Sequence, residues 1–528
     1  VTAIASPASP TEAQAPRSNN IRLVLPGIML AMILAMLDNM VVGTAMPKII
    51  GELGGLSKLS WVVTAYVLGT TVSTPIWGKL GDLYGRKRVF LTSIVLFILG
   101  SMLSGAAGEF AAINEQIGPM TQLIIFRAFQ GLGAGGLMVG AFALIGDLVP
   151  PRERGRYQGM MAGIMALSMI AGPLVGGLIT DNASWRWIFY MNIPIAGAAM
   201  AILIPFLHLP PKRTEHKIDW LGAATLGVGI TAVVLITTWG GNDYAWTSST
   251  ILGLGVIAVI AIAAFIAIQR RVAEPILPLN LFKNSNFSLV SGIGFLVGFG
   301  LFGAVSFLPL YQQTVQGASA TNSGLLLLPM MGGVMVTSIV IGRLITKTGK
   351  YRIYPIVGGV IMVLAMLLLT RLDVDTSKGE STIYMVVLGL GMGCLMQTTL
   401  LISQNSVEMK DLGVASSTAT FARSIGGSLG VALFGAVFTD RMKDDITASL
   451  GAPAAKMVDE AGGNFQPDQL AQLAPQVKHG LLHAISFGIS GLFWWALAFA
   501  IVIPVLAWFI KEVPLRATND PSKLTPVE

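Results

Sequence analysis

Three ionisable side chains stand inside otherwise apolar stretches of this 528-residue chain: Asp38, Arg127 and Arg423. A charge at hydrocarbon depth costs on the order of 2.5–3.5 kcal/mol to insert, so such residues face a cavity or a partner and mark routes for ions or substrates. Apolar surroundings favour the neutral acid and a nearby cation favours the carboxylate, so a carboxyl beside a guanidinium can exchange a proton when its surroundings change. Asp38 is therefore a candidate proton-exchange site; the structural alternative is that it only neutralises Arg127. Asp38 lies about 12 Å from one end of its stretch and Arg127 about 9 Å from the matching end of its own, at about 1.5 Å per residue. The two can pair. Arg423, about 11 residues into its stretch, is either a cavity charge suited to an anionic or zwitterionic ligand or a donor to backbone carbonyls.

Other chemistries are poorly served. His479 and His483 could share a helix face, but the chain has four histidines and no third ligand stands nearby, so no metal is expected. The single Cys394 excludes an intrachain disulfide. No GxxxxGK[ST] loop is present, which argues against an ATP-driven pump, and the apolar stretches offer no Ser/His set for an intramembrane enzyme. Gly131-Leu132-Gly133-Ala134-Gly135-Gly136 fits the dinucleotide pattern GxGxxG, but no strand precedes it and it lies within an apolar run. It is set aside as a nucleotide site.

The elements that must position these residues are membrane helices. Of the chain, 53% is AVILMFWYC, 61 residues are glycine, and only 12% is charged, about half the usual quarter. A soluble globule of this size needs more charge to cover its surface. Segments of about 20 apolar residues, enough for roughly 30 Å of hydrocarbon, recur about fourteen times. They lack the period-2 alternation of a barrel, so an all-α integral membrane protein is predicted. With the N-terminus inside, 23 of the 34 Lys and Arg fall on inner segments and nine on outer ones. This bias predicts cytoplasmic termini in a cell membrane and explains the net charge of +7 without nucleic acid. Residues 1–21 and 511–528 read as cytoplasmic tails, the first without a signal-peptide pattern. Residues 440–481 read as an external loop with one or two short amphipathic helices.

An internal repeat organises the segments. Gly78-Lys79 is followed five residues on by Gly85-Arg86, and Gly342-Arg343 by Gly349-Lys350, with Thr346 replacing the acid at the Asp82 position. Equal spacing after the second and tenth segments is the mark of a duplicated six-helix half.

Gly78-Lys79-Leu80-Gly81-Asp82-Leu83-Tyr84-Gly85-Arg86-Lys87-Arg88 resembles motif A of the major facilitator superfamily. Arg127-Ala128-Phe129-Gln130-Gly131 resembles its motif B, and Gly163 with Ala171-Gly172-Pro173-Leu174-Val175-Gly176-Gly177 its antiporter motif C. Leu37-Asp38-Asn39-Met40-Val41-Val42 through Ala45-Met46-Pro47, and Trp185-Arg186-Trp187-Ile188-Phe189 with Asn192-Ile193-Pro194, resemble the fourteen-helix drug:proton antiporters of the EmrB/QacA type. The chain departs from that branch at Met40, at Gly43 and at Arg423, where some members carry an acid. The resemblance implies six-helix bundles at 22–208 and 286–510, two extra helices at 218–269, and a substrate site near the midplane opened alternately to each side.

It also implies roles. Asp38 and Arg127 would couple protons, with Gln130 beside them, and Asp82, Arg86 and Asp147 would latch the bundles at the cytoplasmic end. Gly159, Gly163, Gly172 and Gly176 are small-residue pairs that permit close helix approach, and Pro173 bends the helix. Candidate cavity-wall residues are Trp61, Tyr66, Tyr311, Gln312, Gln313, Met330, Met331, Gln397 and Gln404, with Arg423; aromatic and methionine side chains suit a polyspecific pocket. The expected function is a monomeric proton-driven exporter of amphipathic small molecules, with no cofactor, ATP or nucleic acid. The alternatives are a dedicated exporter of an endogenous metabolite, lipid or self-made antibiotic, and, further off, a proton-coupled uptake symporter.

Overall fold

The computed structural model describes residues 21–54, 58–110, 116–209, 219–241, 244–318, 326–450 and 475–515. Among them are fourteen long helices: α1 (Ile21–Leu53), α2 (Leu59–Tyr84), α3 (Arg86–Gly105), α4 (Pro119–Leu148), α5 (Pro151–Asn182), α6 (Trp187–Phe206, with a turn at Met191), α7 (Trp220–Trp239), α8 (Ser249–Gln269), α9 (Ser285–Thr314), α10 (Leu328–Thr348), α11 (Ile353–Leu369), α12 (Lys378–Asn405), α13 (Leu412–Leu450) and α14 (Pro475–Trp508). Eleven are long and apolar enough to cross a membrane, and α11 is apolar but 17 residues long. The other two, α2 and α5, carry the charges Lys79, Asp82, Arg152, Glu153 and Arg154 near their ends. Helices are what the composition demands, because each must satisfy its own backbone where water is absent.

Local chemistry sets the breaks. Gly85, at φ +92°, turns the chain sharply from α2 into α3, and Gly349, at φ +71°, ends α10 in the left-handed region that favours glycine. Pro150 and Pro151 separate α4 from α5. Ser377 and Glu380 form a reciprocal capping box at the start of α12.

Glycine sets the packing within each bundle. A methyl at Gly131 on α4 would stand 2.3 Å from the Tyr66 carbonyl oxygen on α2, and one at Gly133 would stand 2.5 Å from the Phe97 nitrogen on α3. The GxGxxG run therefore serves helix packing. The C-terminal bundle repeats the device, with Gly389 of α12 against the Met330 carbonyl on α10 and Gly391 against Met362 on α11. α4 and α12 hold corresponding places in the two halves.

Helices α7 and α8 form a hairpin clasped at one end by Asp219, whose Oδ2 accepts from Gln269 Nε2 at 2.7 Å. Its buried face, with Leu226 and Ile230, joins Leu68 and Val72 of α2 and Phe421 and Ile425 of α13 in one apolar cluster. The hairpin thus covers one side of the seam between bundles. Its other side presents exposed Leu252, Val256, Val259 and Ile260, a surface suited to lipid.

The segment 440–481 departs from expectation at both ends. α13 continues unbroken to Leu450 and α14 already begins at Pro475. Met442 and Ile446 pack with Leu481 and Ile485, so an apolar stripe holds the two helices together past the expected span ends. Residues 451–474, like the tails 1–20 and 516–528, lie outside the described residues.

Candidate functional site

Asp38 on α1 is fully enclosed. Its Oδ2 pairs with Arg127 Nη1, and its Oδ1 accepts from Gln130 Nε2 at 2.8 Å and from Asn192 Nδ2 at 2.8 Å. Arg127 Nη1 also donates to Gln130 Oε1 at 3.0 Å. The guanidinium lies over the Tyr66 ring, 4.1 Å from its centroid, and the Tyr66 hydroxyl donates to the Ala35 carbonyl. Asn192 Nδ2 also donates to Ser101 Oγ at 2.9 Å.

Five helices of one bundle build this cluster. α4 places Arg127 and Gln130 three residues apart on one face, and its glycine run lets α2 and α3 come close. All three bonds to Asp38 come from N–H donors, the complement of an ionised carboxylate. Within this cluster two groups remain unsatisfied: Arg127 keeps Nε and Nη2 without a hydrogen-bond acceptor, and Asn192 Oδ1 has no donor. The ring of Tyr66 offsets part of the first deficit through cation–π attraction.

The seam between bundles forms a second constellation, at the end carrying the basic loops. Asp82 accepts from Gly413 N at 3.1 Å and from Val414 N at 2.9 Å, so it caps the first turn of α13 from the opposite bundle. Arg86 Nη2 is 2.6 Å from Asp82 Oδ1, Arg86 Nη1 pairs with Asp147, and Arg86 Nη2 also reaches the Met409 carbonyl. On the other side of the seam Arg152, from α5, donates to the Thr346 and Lys347 carbonyls at the C-terminus of α10. An acid meets a helix N-terminus in one contact and a base meets a helix C-terminus in the other, each the favourable pole. The repeated loop has lost its acid at Thr346, and there the backbone carbonyl takes the cross-bundle bond.

Motif C divides along α5. Gly159 and Gly163 face Ile339 and Met335 of α10, across the seam, whereas Gly172 and Gly176 face Met40 and Thr44 of α1. Gly177 faces open space; the side chain of Pro173 lies outside the described set. Beyond Gly163, α5 turns exposed Leu167, Leu174 and Leu178 outward, so the cross-seam glycine contacts lie in the half nearer the basic end.

The expected cavity wall is dispersed. Tyr311, Met330 and Met331 lie in the core of the C-terminal bundle, and the Tyr311 hydroxyl donates to the Asp373 carbonyl at 2.6 Å. Gln312 and Gln397 are buried, with Gln312 Nε2 against Met385 Sδ. Gln404 sits in the basic-end seam, donating to Ser416 Oγ and to the Phe142 carbonyl of the other bundle. Trp61 packs on Trp239 of the extra hairpin, Tyr66 lies beneath Arg127, and Gln313 is part-buried on α9. His483 pairs with Asp445 at 3.0 Å on the far side, away from both constellations.

Sequence reasoning gave no site role to Asn192, which it quoted only within a motif, nor to Ser101, Arg152 and Arg154. An amide within an apolar span is a detectable signal for Asn192. Arg154, buried and bonded to the Val149 and Gly146 carbonyls at the end of α4, reads in the sequence as one more loop charge.

Residues 28–431 match the Major Facilitator Superfamily model. The chain is 38% identical over 521 residues to Multidrug transporter protein MdtP of Bacillus subtilis, covering 93% of both proteins. It is 34% identical over 509 residues to Multidrug resistance protein 3 of the same organism, covering 95% of this chain and 97% of that one. Its fold matches the proton:xylose symporter XylE with a TM-score of 0.60 at 14% identity, over 94% of this chain and 97% of that one. Helical architecture, duplicated halves and these similarities agree: this chain is a multi-pass membrane transporter belonging to the major facilitator superfamily.

Proposed function

We propose that the chain exports amphipathic small molecules in exchange for protons, with Asp38 as the coupling carboxyl. The observation that carries this reading is the Asp38 cluster, a buried carboxylate held by three donors with one unused amide acceptor beside it. Protonation would add an O–H that needs an acceptor. Rotation of the Asn192 amide would supply one, and Arg127 would lose its counter-charge. An energetic consequence at Asp38 has a direct route outward: Met40 and Thr44, on the same helix, pack on Gly172 and Gly176 of α5, whose other half packs on the opposite bundle.

The positive-inside bias favours the basic end as cytoplasmic, and on that orientation the Asp82 and Arg152 contacts hold the bundles closed to the cytoplasm. Protons entering from outside neutralise Asp38 and release the substrate; loosening of the Asp82 and Arg152 contacts then opens the cytoplasmic end, where the proton leaves. One proton moving down 100 mV supplies about 2.3 kcal/mol. The relatives named as multidrug transporters favour several substrates over one.

The test is drug and dye susceptibility of cells with and without the chain, with and without a protonophore. Resistance to chemically unrelated amphiphiles that the protonophore abolishes supports the reading. Resistance to none, with a cell metabolite accumulating on deletion, would replace it with a dedicated endogenous exporter.

A further inference from the structure

Arg423 is the charge that neither constellation uses. It makes no hydrogen bond or ion pair among the described residues, and its Nε is buried without an acceptor. The side chain is part-buried. Ala419, one helical turn earlier on α13, packs into the apolar cluster of the N-terminal bundle. Residues four apart share a helix face, so position 423 lies on the same side of α13 as Ala419, one turn farther from the basic end. Gly298 of α9 packs on the Arg423 backbone, as Gly294 lies beside the Ala419 carbonyl, so 419 and 423 share the α9 side of α13, and Ala419 shows that this side borders the N-terminal bundle.

Local charge balance gives the chemistry. Away from the helix ends, Asp38 is the only buried acid in the described spans, Asp440 of α13 being exposed, and the Asp38 oxygens are taken by Arg127, Gln130 and Asn192. That pair is neutral, so Arg423 leaves the inter-bundle space with one uncompensated positive charge. A cationic substrate would meet repulsion there and find no free carboxylate. A planar guanidinium with open N–H groups in a low-dielectric seam is complementary to a carboxylate, sulfonate or phosphate.

We propose that Arg423 is a substrate-anchoring residue, and that the transported amphiphiles this site prefers carry an anionic group which pairs with its guanidinium between the bundles. This deepens the exporter reading and rests on it for the location of the substrate.

Binding at neutral pH without a proton gradient tests it, using the full chain in lipid nanodiscs and empty nanodiscs as the partition blank. The probes are pyrenebutyrate, its neutral methyl ester and the matching pyrenebutylamine. Wild type should bind the carboxylate about tenfold or more tighter than the ester, the scale of one charge-assisted contact. Arg423→Gln should abolish that difference, Arg423→Lys should keep part of it, and Arg423→Glu should turn the preference toward the amine. Equal binding of acid and ester by wild type, or an unchanged preference in Arg423→Gln, overturns the proposal. Because no gradient is applied, failure of proton coupling would leave this result unaffected, and a failed charge preference would leave coupling intact.

Discussion

The Asp82 carboxylate, carried by the second helix of one bundle, accepts the backbone N–H of Val414 at 2.9 Å in the first turn of a helix belonging to the other. A side chain thereby caps the first turn of α13 from across the seam. The bond must break whenever the bundles separate at that end, so its strength bears on which conformation prevails.

Asp82→Asn keeps the size but removes the charge that Arg86 and the α13 terminus both use. Leaving those groups without it costs about 1–3 kcal/mol in the closed arrangement. Cysteines placed near Gly413 should therefore label faster from the cytoplasmic side than in wild type. An unchanged labelling rate would remove Asp82 from the latch.

Glycine substitutions should sort by what they face. Gly131→Ala drives a methyl into the Tyr66 carbonyl and should cost about 1–3 kcal/mol of stability, visible as a lower unfolding temperature. Gly177→Ala meets no atom within 4 Å and should leave that temperature unmoved. Equal effects would contradict the packing.

Within α5 a sharper contrast is expected. Gly172→Val collides with Met40 of its own bundle and should impair folding. Gly159→Val presses on Ile339 across the seam and should leave a folded protein biased toward cytoplasmic opening, read by the same cysteine labelling. Folding losses of the same size at both positions would argue that α5 does not divide its contacts between bundles.

Much of this was legible in the sequence because the bilayer penalises charge. Asp38 and Arg127 stood out as ionisable residues in apolar runs, and the helix-depth estimate paired them correctly. The repeat of the Gly-basic loop announced two bundles. What stayed hidden was which face of each helix meets which neighbour. Tyr311 and Met330 have the composition of a pocket wall, yet they point into their own bundle, and nothing local distinguishes those faces. Arg152 and Gln404 find their partners on helices about 190 and 260 residues away, a register that only tertiary packing fixes. The place of Asn192 beside Asp38 could have been read, since an amide in an apolar segment carries the same signal as an acid at lower amplitude.

The most direct measurement concerns Asp38. In everted membrane vesicles acidified inside, adding transported amphiphiles, anionic ones above all, should dissipate the pH gradient when wild-type protein is present. Asp38→Asn, expressed and folded to the same level, should give no dissipation above vesicles lacking the protein. Substrate-dependent proton movement persisting in Asp38→Asn would show that the coupling carboxyl lies elsewhere.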